Sequence, residues 1–545
     1  MKNVHRILFT AYAAAALVLL AARLAQASTE ETFSQTLQAQ PGASVIIEKF
    51  SGDINIKGSS ENKLSVVVVL EVNNGSDKLV KEFIDNSSLS LIQTSDGYQI
   101  VFETPMLSDD SSVPEAFVRN FKSLFKSGTW QISSSQKMEV RLPNKQNVTV
   151  HNSYGDISME DVSGDISLHN SSGEIHVRDC SGNLQSQNSY ATVEIESFDG
   201  PVSVHSSSGE VKMNNIGGDA EISNSYRSVT FQNIDGDCTV KSSSAEITGQ
   251  DVTGNCDIST SYKKVSIARV TGDLIVQASS AAVSGEFIGG SATIESSYNP
   301  VEIDSVAGPL TIKSSSAKVY ASRIGGETNI RTSYNPIVVQ HVDGPLSIDG
   351  SSCSVEARDI RGDVFISATY NDITVDNVDG HLEVQGSSAS VTAENITQSA
   401  TIRSTYNPIA LANIGGDVRV DGSSCSVKGE KLNGDVDISN TYKYVVLNDT
   451  RGSIKVHGSS SPIDVRVDEL PHNAEIELVT TYKPVKLELP KKTDATLEAF
   501  GDKFDFMLER VQFDMSEKER AKITLGSGAA RIFIKTGEKV TVSQR

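Results

Sequence analysis

The chain contains few cysteines, tryptophans and prolines. It has 5 cysteines, 1 tryptophan and 14 prolines in 545 residues. So few cysteines in so long a chain do not form a disulfide-based scaffold. Basic residues are also scarce, 48 against 69 acids, which gives a formal net charge of -21. We therefore expect no nucleic-acid partner, because the acidic surface would repel the phosphates.

Long hydrophobic runs are confined to the N-terminus. A basic start at Lys2 and Arg6 precedes an apolar run over residues 7–22. This pattern predicts a secretory signal peptide over residues 1–27, cleaved before Ser28, with an uncleaved anchor as the alternative. No later run is long enough to span a bilayer, so the cleaved chain has no predicted transmembrane anchor. We expect an exported protein that is periplasmic, on the cell surface or secreted.

The main feature that is present is a strict repeat. Glycine recurs every 18 residues, and only Gln398 interrupts the series. The repeated glycines are Gly164, Gly182, Gly200, Gly218, Gly236, Gly254, Gly272, Gly290, Gly308, Gly326, Gly344, Gly362, Gly380, Gly416, Gly434 and Gly452. A fixed period without insertions is typical of coils that stack in register.

Each repeat has the pattern of short strands. Counting from each glycine, the fourth residue is Val, Ile or Leu in every coil but one, as in Val204 and Ile222. The eleventh is always Val or Ile, as in Val211 and Val229. Alternating β-branched residues between glycine- and serine-rich turns predict two or three strands per coil and exclude a helix. The predicted fold is all-β, a single-stranded β-solenoid or β-helix of 18-residue coils.

Two polar ladders follow the same register. The seventh residue after each glycine is Ser or Thr in every coil. The eighth alternates between Ser and Tyr, which makes the true repeat 36 residues. The tyrosines are Tyr190, Tyr226, Tyr262, Tyr298, Tyr334, Tyr370, Tyr406 and Tyr442. The hydroxyls suit hydrogen bonds at a tight corner, although such rows could also bind a glycan or a mineral surface.

The tyrosine row has two interpretations. The thirteenth position is large in tyrosine coils, as in Ile267 and Ile303, and often small in serine coils, as in Gly285 and Ala321. This alternation favours tyrosines that lean over the small residues and fill the core. The alternative is a row of exposed rings about 9.6 Å apart, which is suited to stacking on sugars. In that case the eight tyrosines would form a ligand face.

Metal sites are weakly indicated. Asp219, Asp235 and Asp237 should meet at one corner, where carboxylate oxygens could hold Ca²⁺. We favour solvated turn carboxylates, because the spacing lacks the nonapeptide pattern of calcium-binding β-rolls. His151 and His169 share a register one coil apart, but the sequence places no third ligand beside them. We therefore predict no catalytic, cofactor-binding or metal site and no cofactor, with Ca²⁺ as the alternative.

The cysteines fit core positions. Cys238 and Cys256 occupy the same register one coil apart. In-register parallel neighbours rarely have the geometry of a disulfide, so buried thiols are favoured. Cys353 and Cys425 occupy a position that other serine coils fill with Gly or Ala. We predict that both are small core residues.

The ends of the chain depart from the repeat. Residues 28–150 are predicted to form a β-rich N-terminal cap, with an amphipathic helix inserted near residues 112–127. The repeat domain covers residues 151–465. Residues 466–545 lose the 18-residue register and are predicted to form a C-terminal β cap. Caps are expected because a bare terminal coil would expose both core and strand edge.

Several motifs resemble a known family. The opening Phe50-Ser51-Gly52-Asp53-Ile54-Asn55-Ile56, the Arg141-Leu142-Pro143 lead into Asn152-Ser153-Tyr154-Gly155-Asp156-Ile157, and the Gly-Asp-x-x-Ile-x-Ser-Ser coils are similar to bacterial adhesin-type β-strand-repeat proteins. That family is a domain of unknown function. The resemblance covers nearly the whole chain after residue 27 and implies an extracytoplasmic β-solenoid. It brings no catalytic residue with it.

Three function classes follow. A non-enzymatic adhesin or structural envelope rod needs uniform coils, and the coils are uniform. A glycan- or cation-binding module needs the tyrosines or acidic turns to face solvent. A polysaccharide-cleaving β-helix enzyme needs acids and bases that converge at one point, and the sequence concentrates none. We predict the first class, with an unknown surface ligand that is a polysaccharide or an envelope protein.

Overall fold

The computed structural model describes residues 28–73, 75–105, 133–509 and 511–545. Within residues 513–517 only the backbone is described. The predicted signal peptide and the helix predicted near residues 112–127 lie outside these ranges. The chain divides into two compact units, Met1–Val240 and Lys241–Arg545, here called unit 1 and unit 2.

Unit 1 contains sixteen complete strands and one helix in the described ranges. They are β1 (Thr29–Gln38), β2 (Ser44–Phe50), β3 (Asp53–Ser59), β4 (Lys63–Asn73), α1 (Asp77–Asp85), β5 (Ser88–Gln93), β6 (Gly97–Glu103), β7 (Ser133–Pro143), β8 (Asn147–Asn152), β9 (Ile157–Glu160), β10 (Ser163–Asn170), β11 (Ile175–Asn188), β12 (Val193–Asp199), β13 (Val202–Ser206), β14 (Val211–Ile216), β15 (Ala220–Asn224) and β16 (Val229–Ile234). Strand β17 (Cys238–Ser242) includes the limit between the units.

Unit 2 continues with strands of the same kind. They are β18 (Ile247–Val252), β19 (Cys256–Thr260), β20 (Val265–Val270), β21 (Leu274–Ala278), β22 (Val283–Ile288), β23 (Ala292–Ser296), β24 (Val301–Val306), β25 (Leu310–Lys313), β26 (Val319–Ile324), β27 (Thr328–Thr332), β28 (Ile337–Val342), β29 (Leu346–Gly350), β30 (Val355–Ile360), β31 (Val364–Ala368), β32 (Ile373–Val378), β33 (Leu382–Gln385), β34 (Val391–Ile396), β35 (Ala400–Ser404), β36 (Ile409–Ile414), β37 (Val418–Gly422), β38 (Val427–Leu432), β39 (Val436–Asn440), β40 (Val445–Arg451), β41 (Ile454–Gly458), β42 (Ile463–Glu469), β43 (Glu475–Val479), β44 (Val485–Leu489), β45 (Ala495–Phe500), β46 (Lys503–Met507), β47 (Val511–Glu517), β48 (Arg520–Leu525), β49 (Ala530–Lys535) and β50 (Lys539–Gln544).

The predicted β-solenoid is confirmed. Each 18-residue coil contributes two strands, and every strand pairs in parallel with its equivalent one coil away. In unit 1, Val202 pairs with Ala220 and Val211 with Val229. The same 18-residue register holds in unit 2, for example where Val283 pairs with Val301. Alternate residues of both strands face the core, which accounts for the β-branched positions of the sequence pattern.

The alternation of large and small residues at the thirteenth position is core packing. Ile267, Gly285 and Ile303 lie in register on neighbouring strands of unit 2. A Cβ atom on Gly285 would lie 3.0 Å from the Cδ1 atom of Ile303. The isoleucine side chains therefore use the space that glycine leaves, as close packing requires. The predicted packing of large residues against small ones is correct, but it involves the residues of the thirteenth position and not the tyrosines.

A left-handed backbone corner recurs at the second strand of each coil from Asp161 to Asp449, and also at Lys49 in β2. The residue before the last buried position has φ between 51° and 61° in every case, and none of these residues is β-branched. They are Lys49, Asp161, Asp179, Ser197, Asn215, Asn233, Asp251, Arg269, Phe287, Ser305, Arg323, His341, Asp359, Asn377, Asn395, Asn413, Lys431 and Asp449. Because this residue reverses the alternation, two successive side chains point outward before the chain turns back into the core.

Unit 1 begins with strands that interrupt the simple stacking. Strands β2 and β3 already pair in parallel with β8 and β9, so solenoid pairing starts within residues 28–150. Strand β4 lies antiparallel to both β1 and β7. Helix α1, which the sequence patterns did not indicate, buries Val80 and Phe83. Strands β2, β3 and β4 contain the alternating apolar patterns at Ser44–Ile47, Ile54–Lys57 and Leu64–Val72.

Unit 2 ends with an altered coil order. Ile454 pairs with Ile476, a spacing of four residues more than the repeat, so one further coil follows an insertion. Strands β49 and β50 stack on β43 and β44, and β45 and β46 stack on β49 and β50. Strand β48 lies antiparallel to β45 and β47. The 18-residue spacing is thus lost after residue 465, as predicted, but parallel strand pairing continues.

All five cysteines are buried thiols. Burial raises the pKa of Cys180 to about 11 and also raises the pKa values of Cys353 and Cys425. A Cβ atom on Gly350 would lie 2.1 Å from the sulfur of Cys353. Cys353 therefore fills the space beside a glycine, and the prediction of small core residues is confirmed.

Candidate functional site

The tyrosines of the repeat are exposed. Between 58% and 71% of the surface of each of the eight predicted tyrosines is accessible. The favoured interpretation, that these rings fill the core, is therefore wrong. Their position follows the last buried residue of the first strand, so the ring projects from a turn rather than from the inward face of a strand. The exposed-row interpretation matches the observed burial.

Two further tyrosines belong to these rows, and the sequence analysis missed both. Tyr154 and Tyr482 are each 65% exposed. The amide N–H of Tyr482 donates to the carbonyl of Ser459, as that of Tyr442 does to Ser423. The four-residue insertion hid Tyr482 from the 18-residue count, although the preceding Thr-Thr pair signals the same turn. Unit 1 thus carries Tyr154, Tyr190 and Tyr226.

The row in unit 2 is here called the tyrosine strip. It comprises Tyr262, Tyr298, Tyr334, Tyr370, Tyr406, Tyr442 and Tyr482. Each ring precedes a strand of the second type, from β20 to β44, and a serine coil separates successive tyrosines. Since neighbouring strands lie about 4.8 Å apart, successive rings are spaced by about 9.6 Å.

A buried hydrogen bond anchors the turn before each of several strip tyrosines. The Ser296 hydroxyl donates to the Ala281 carbonyl at 2.7 Å. The equivalent bond from Ser404 to Ala389 measures 3.0 Å. In the last tyrosine coil of the repeat the amide of Asn440 replaces the hydroxyl. These polar residues satisfy carbonyls of the serine coil below, so they fix the turn while leaving the tyrosine outside.

Asparagine holds the other side of the turn. The side-chain amides of Asn299, Asn335, Asn371 and Asn407 donate to the backbone carbonyls of Ser280, Ser316, Ser352 and Ser388. Each of these asparagines directly follows a strip tyrosine. At Tyr298 and Tyr406 the turn is thus held by side chains on both sides of the tyrosine. A rigid turn reduces the entropy that a ligand would have to remove on binding.

The hydroxyl ladder is a surface feature with a structural role. Ser351 and Ser387 donate from their hydroxyls to the carbonyls of Ser333 and Thr369. Backbone amides at the following position make short bonds between coils, such as Ser316 N–H to the Ser297 carbonyl at 2.7 Å. The prediction of corner hydrogen bonds is confirmed for these residues. Their hydroxyls nevertheless border the exposed rings.

A groove lies beside the strip in unit 2. It has a volume of about 620 Å³ and is lined by Ser261 and Ser297, which directly precede Tyr262 and Tyr298. Gln277, from the serine coil between them, also lines the groove. The ammonium of Lys313 lies 3.1 Å from the carboxylate of Glu295. The groove thus presents hydroxyl, amide and paired charged groups next in sequence to two strip tyrosines.

The acidic turns have a structural role in the fold. In unit 1, a carboxylate oxygen of Asp219 accepts the amide N–H of Asp237 at 2.9 Å. In unit 2, Asp417 and Asp435 accept the amides of Asp435 and Ser453 in the same way. Asp235 is exposed at the same corner of unit 1 as Asp219 and Asp237. In the described part of the chain, no three His, Cys, Asp or Glu side chains are grouped to hold a metal ion.

The paired histidines of unit 1 stack on each other. The ring centroids of His151 and His169 are 4.9 Å apart, and their planes differ by 19°. Burial of the imidazole lowers the pKa of His169, and the charge of His151 lowers it further. The structure therefore brings these two predicted neighbours together.

The comparisons with known proteins identify a family. Residues 43–313 match the family model described as Toastrack DUF4097, a domain of unknown function. No curated protein and no solved structure matches the chain. In the ranges that the structure describes, no helix has the length and apolar character needed to cross a bilayer. Over residues 43–313 the chain is therefore similar to the Toastrack DUF4097 family, and its structure is a β-solenoid.

Proposed function

We propose that the chain is an exported, non-enzymatic binding protein of the adhesin type, which recognises a surface ligand through its exposed tyrosines. The observation that carries this proposal is the regular exposure of the rings in unit 2. Three of them, Tyr298, Tyr334 and Tyr406, lie on turns that side chains bond from both sides. Exposed aromatic rings on a rigid frame offer large contact area at little entropic cost. The signal peptide predicted from the sequence supports an extracytoplasmic location.

The uniformity of the coils favours binding over catalysis. A catalytic site requires acid and base groups that converge at one singular place. The strip instead repeats one arrangement, and the hydrogen bonds around Tyr298 recur around Tyr334 and Tyr406. Repetition suits a partner that is itself extended or repetitive, because several weak contacts then add to one strong attachment.

The test is binding of the purified chain to immobilised surface polysaccharides and matrix proteins. The variant replaces all ten exposed tyrosines of both rows with serine, the residue at the equivalent position of the intervening coils. We expect binding to fall by roughly tenfold or more, since truncating anchoring aromatic residues typically costs more than about 1 kcal/mol each. Circular dichroism should show an unchanged fold.

The matched control removes exposed or half-exposed aromatic rings elsewhere in unit 2. It replaces Phe287, Tyr320 and Phe365 with serine. Binding by this control should equal that of the natural chain. An equal loss in the control and the tyrosine variant, or retained binding in the tyrosine variant, would contradict the proposal.

A further inference from the structure

The spacing of the strip restricts the chemistry of its ligand. Tyrosines recur every second coil, so equivalent rings are separated by about 9.6 Å along the stack. A ligand that contacts several rings in the same way must therefore present the same face again after about this distance. Globular partners have no such period, whereas an extended polymer has.

A β-1,4-linked chain of pyranose sugars meets this condition. In its extended conformation successive sugars alternate in orientation, so the same ring face returns at every second sugar. Two such sugars span about the distance between two strip tyrosines. An α-1,4-linked chain coils and does not keep its sugar faces in a line.

We propose that the tyrosine strip binds an uncharged, extended β-1,4-linked polysaccharide, with each tyrosine stacked on every second sugar. This inference rests on the proposed function, whose ligand class it names. The axial C–H groups of a pyranose form an apolar face that packs on an aromatic ring, and the equatorial hydroxyls remain free for hydrogen bonds. Ser261, Gln277 and Ser297, which line the groove beside Tyr262 and Tyr298, are positioned to supply them.

The charges around the strip favour an uncharged polymer. From Tyr298 to Tyr406 the residues directly before and after each tyrosine are Ser or Thr and Asn. No cation therefore flanks these four rings in sequence, and the chain as a whole carries a formal net charge of -21. A polyanionic glycan would find no neighbouring cation at these four rings and would be repelled by the net negative charge. Lysine directly follows only the other three strip tyrosines, Tyr262, Tyr442 and Tyr482.

The spacing can be tested with two variants that lose the same number of rings. Both carry Tyr154→Ser, Tyr190→Ser and Tyr226→Ser, which removes the row of unit 1. The scattered variant adds Y298S, Y370S and Y442S, so no two neighbouring strip tyrosines remain. The contiguous variant adds Y370S, Y406S and Y442S, so Tyr262, Tyr298 and Tyr334 stay adjacent.

Affinity for cellohexaose, measured by calorimetry, should separate the two variants. A hexasaccharide can stack on three neighbouring tyrosines at once, so we expect the scattered variant to bind at least about tenfold more weakly than the contiguous one. Maltohexaose and a polygalacturonate oligosaccharide of the same length should bind the natural chain at least about tenfold more weakly than cellohexaose. Thermal unfolding of both variants verifies that the fold is intact.

Each other result overturns the inference in a distinct way. Equal affinities of the two folded variants would show that ring spacing does not matter. Comparable binding of maltohexaose or polygalacturonate would exclude the proposed linkage or charge while leaving the strip as a binding face. Absence of cellohexaose binding, together with tyrosine-dependent binding to another polymer or a matrix protein, would reject the ligand class but not the proposed function.

Discussion

At the scale of single residues, the stacked histidines of unit 1 show how neighbouring side chains on successive coils can make stability depend on pH. His169 is half-buried, and its Nδ1 atom has no hydrogen-bond partner among the described residues. Burial, and secondly the neighbouring His151, hold the pKa of His169 below its usual 6.5. A group whose pKa is lower in the folded chain favours unfolding when it is protonated.

This histidine pair predicts a loss of stability in acid. The contribution of His169 is fully present above the unfolded pKa of about 6.5 and is lost as the pH falls through the folded pKa. His169→Gln, which copies Gln187 in the neighbouring strand, should reduce the fall in the urea midpoint between about pH 7.5 and pH 5. His205→Gln, an exposed control in the same register, should leave that fall unchanged. Parallel pH profiles for the natural chain and His169→Gln would refute the prediction.

The exposure of the tyrosines could not be derived from the pattern. Alternation assigns inward and outward faces within a strand, but the eighth position lies in a turn, where alternation ends. The large and small residues at the thirteenth position suggested that a tyrosine was needed to fill the core. Ile303 and Gly285 fill that space by themselves. The sequence therefore identified the row of tyrosines, but not that their rings face solvent.

At the scale of elements, the left-handed corner is the feature least visible in the sequence. Glycine usually marks such a backbone conformation, but here Lys49, Arg269 and Phe287 also adopt it. Asn and Asp are frequent at this position, as expected for residues that tolerate it. Their side chains also link coils, as where the guanidinium of Arg269 donates to Asp251 at 2.5 Å and 2.8 Å. The strands were predicted because their buried positions alternate, whereas the corner breaks that alternation.

Phe287 offers a direct test of this corner. Its φ is 57° and its side chain is 54% exposed, so it has strain and little burial to offset it. Phe287→Asn should raise the free energy of unfolding by about 1 kcal/mol, because Asn adopts the left-handed region more readily. The control Phe365→Asn changes a half-exposed aromatic residue of a regular strand and should not stabilise the unit. A neutral or negative effect of Phe287→Asn in urea unfolding would contradict the role given to the corner.

At the scale of the whole molecule, the repeat predicted far more than the ends did. Stacked coils impose one register, so a single period determines the pairing of most strands. The ends follow no period, and α1 and the order β43, β49, β45 had no counterpart in the pattern. Solenoid pairing also starts at β2. Strands β2 and β3 form one coil, which the segment from β4 to β7 separates in sequence from β8 and β9, so the glycine spacing does not reveal it.

The 36-residue period should be the true unit of stability in unit 2. Deleting Pro309–Gly344 joins Gly308 to Pro345 and restores a Gly-Pro turn, so a serine coil still follows the Tyr298 coil. Ile303 would then face Ala357 instead of Ala321, another alanine at the same position. Because each coil contacts only its neighbours, this deletion should change the urea midpoint little.

Deleting only 18 residues should destabilise unit 2 more than deleting 36, although it removes less of the chain. Removing Pro309–Gly326 places two tyrosine coils together, so Ile303 would face Val339 where it now faces Ala321. Overpacking of this kind typically costs about 1–3 kcal/mol. The turn of Tyr334 would also lose the serine-coil carbonyls that Thr332 and Asn335 now bond. Urea unfolding should therefore show a lower midpoint for the 18-residue deletion than for the 36-residue deletion, and the reverse order would mean that single coils are the independent units.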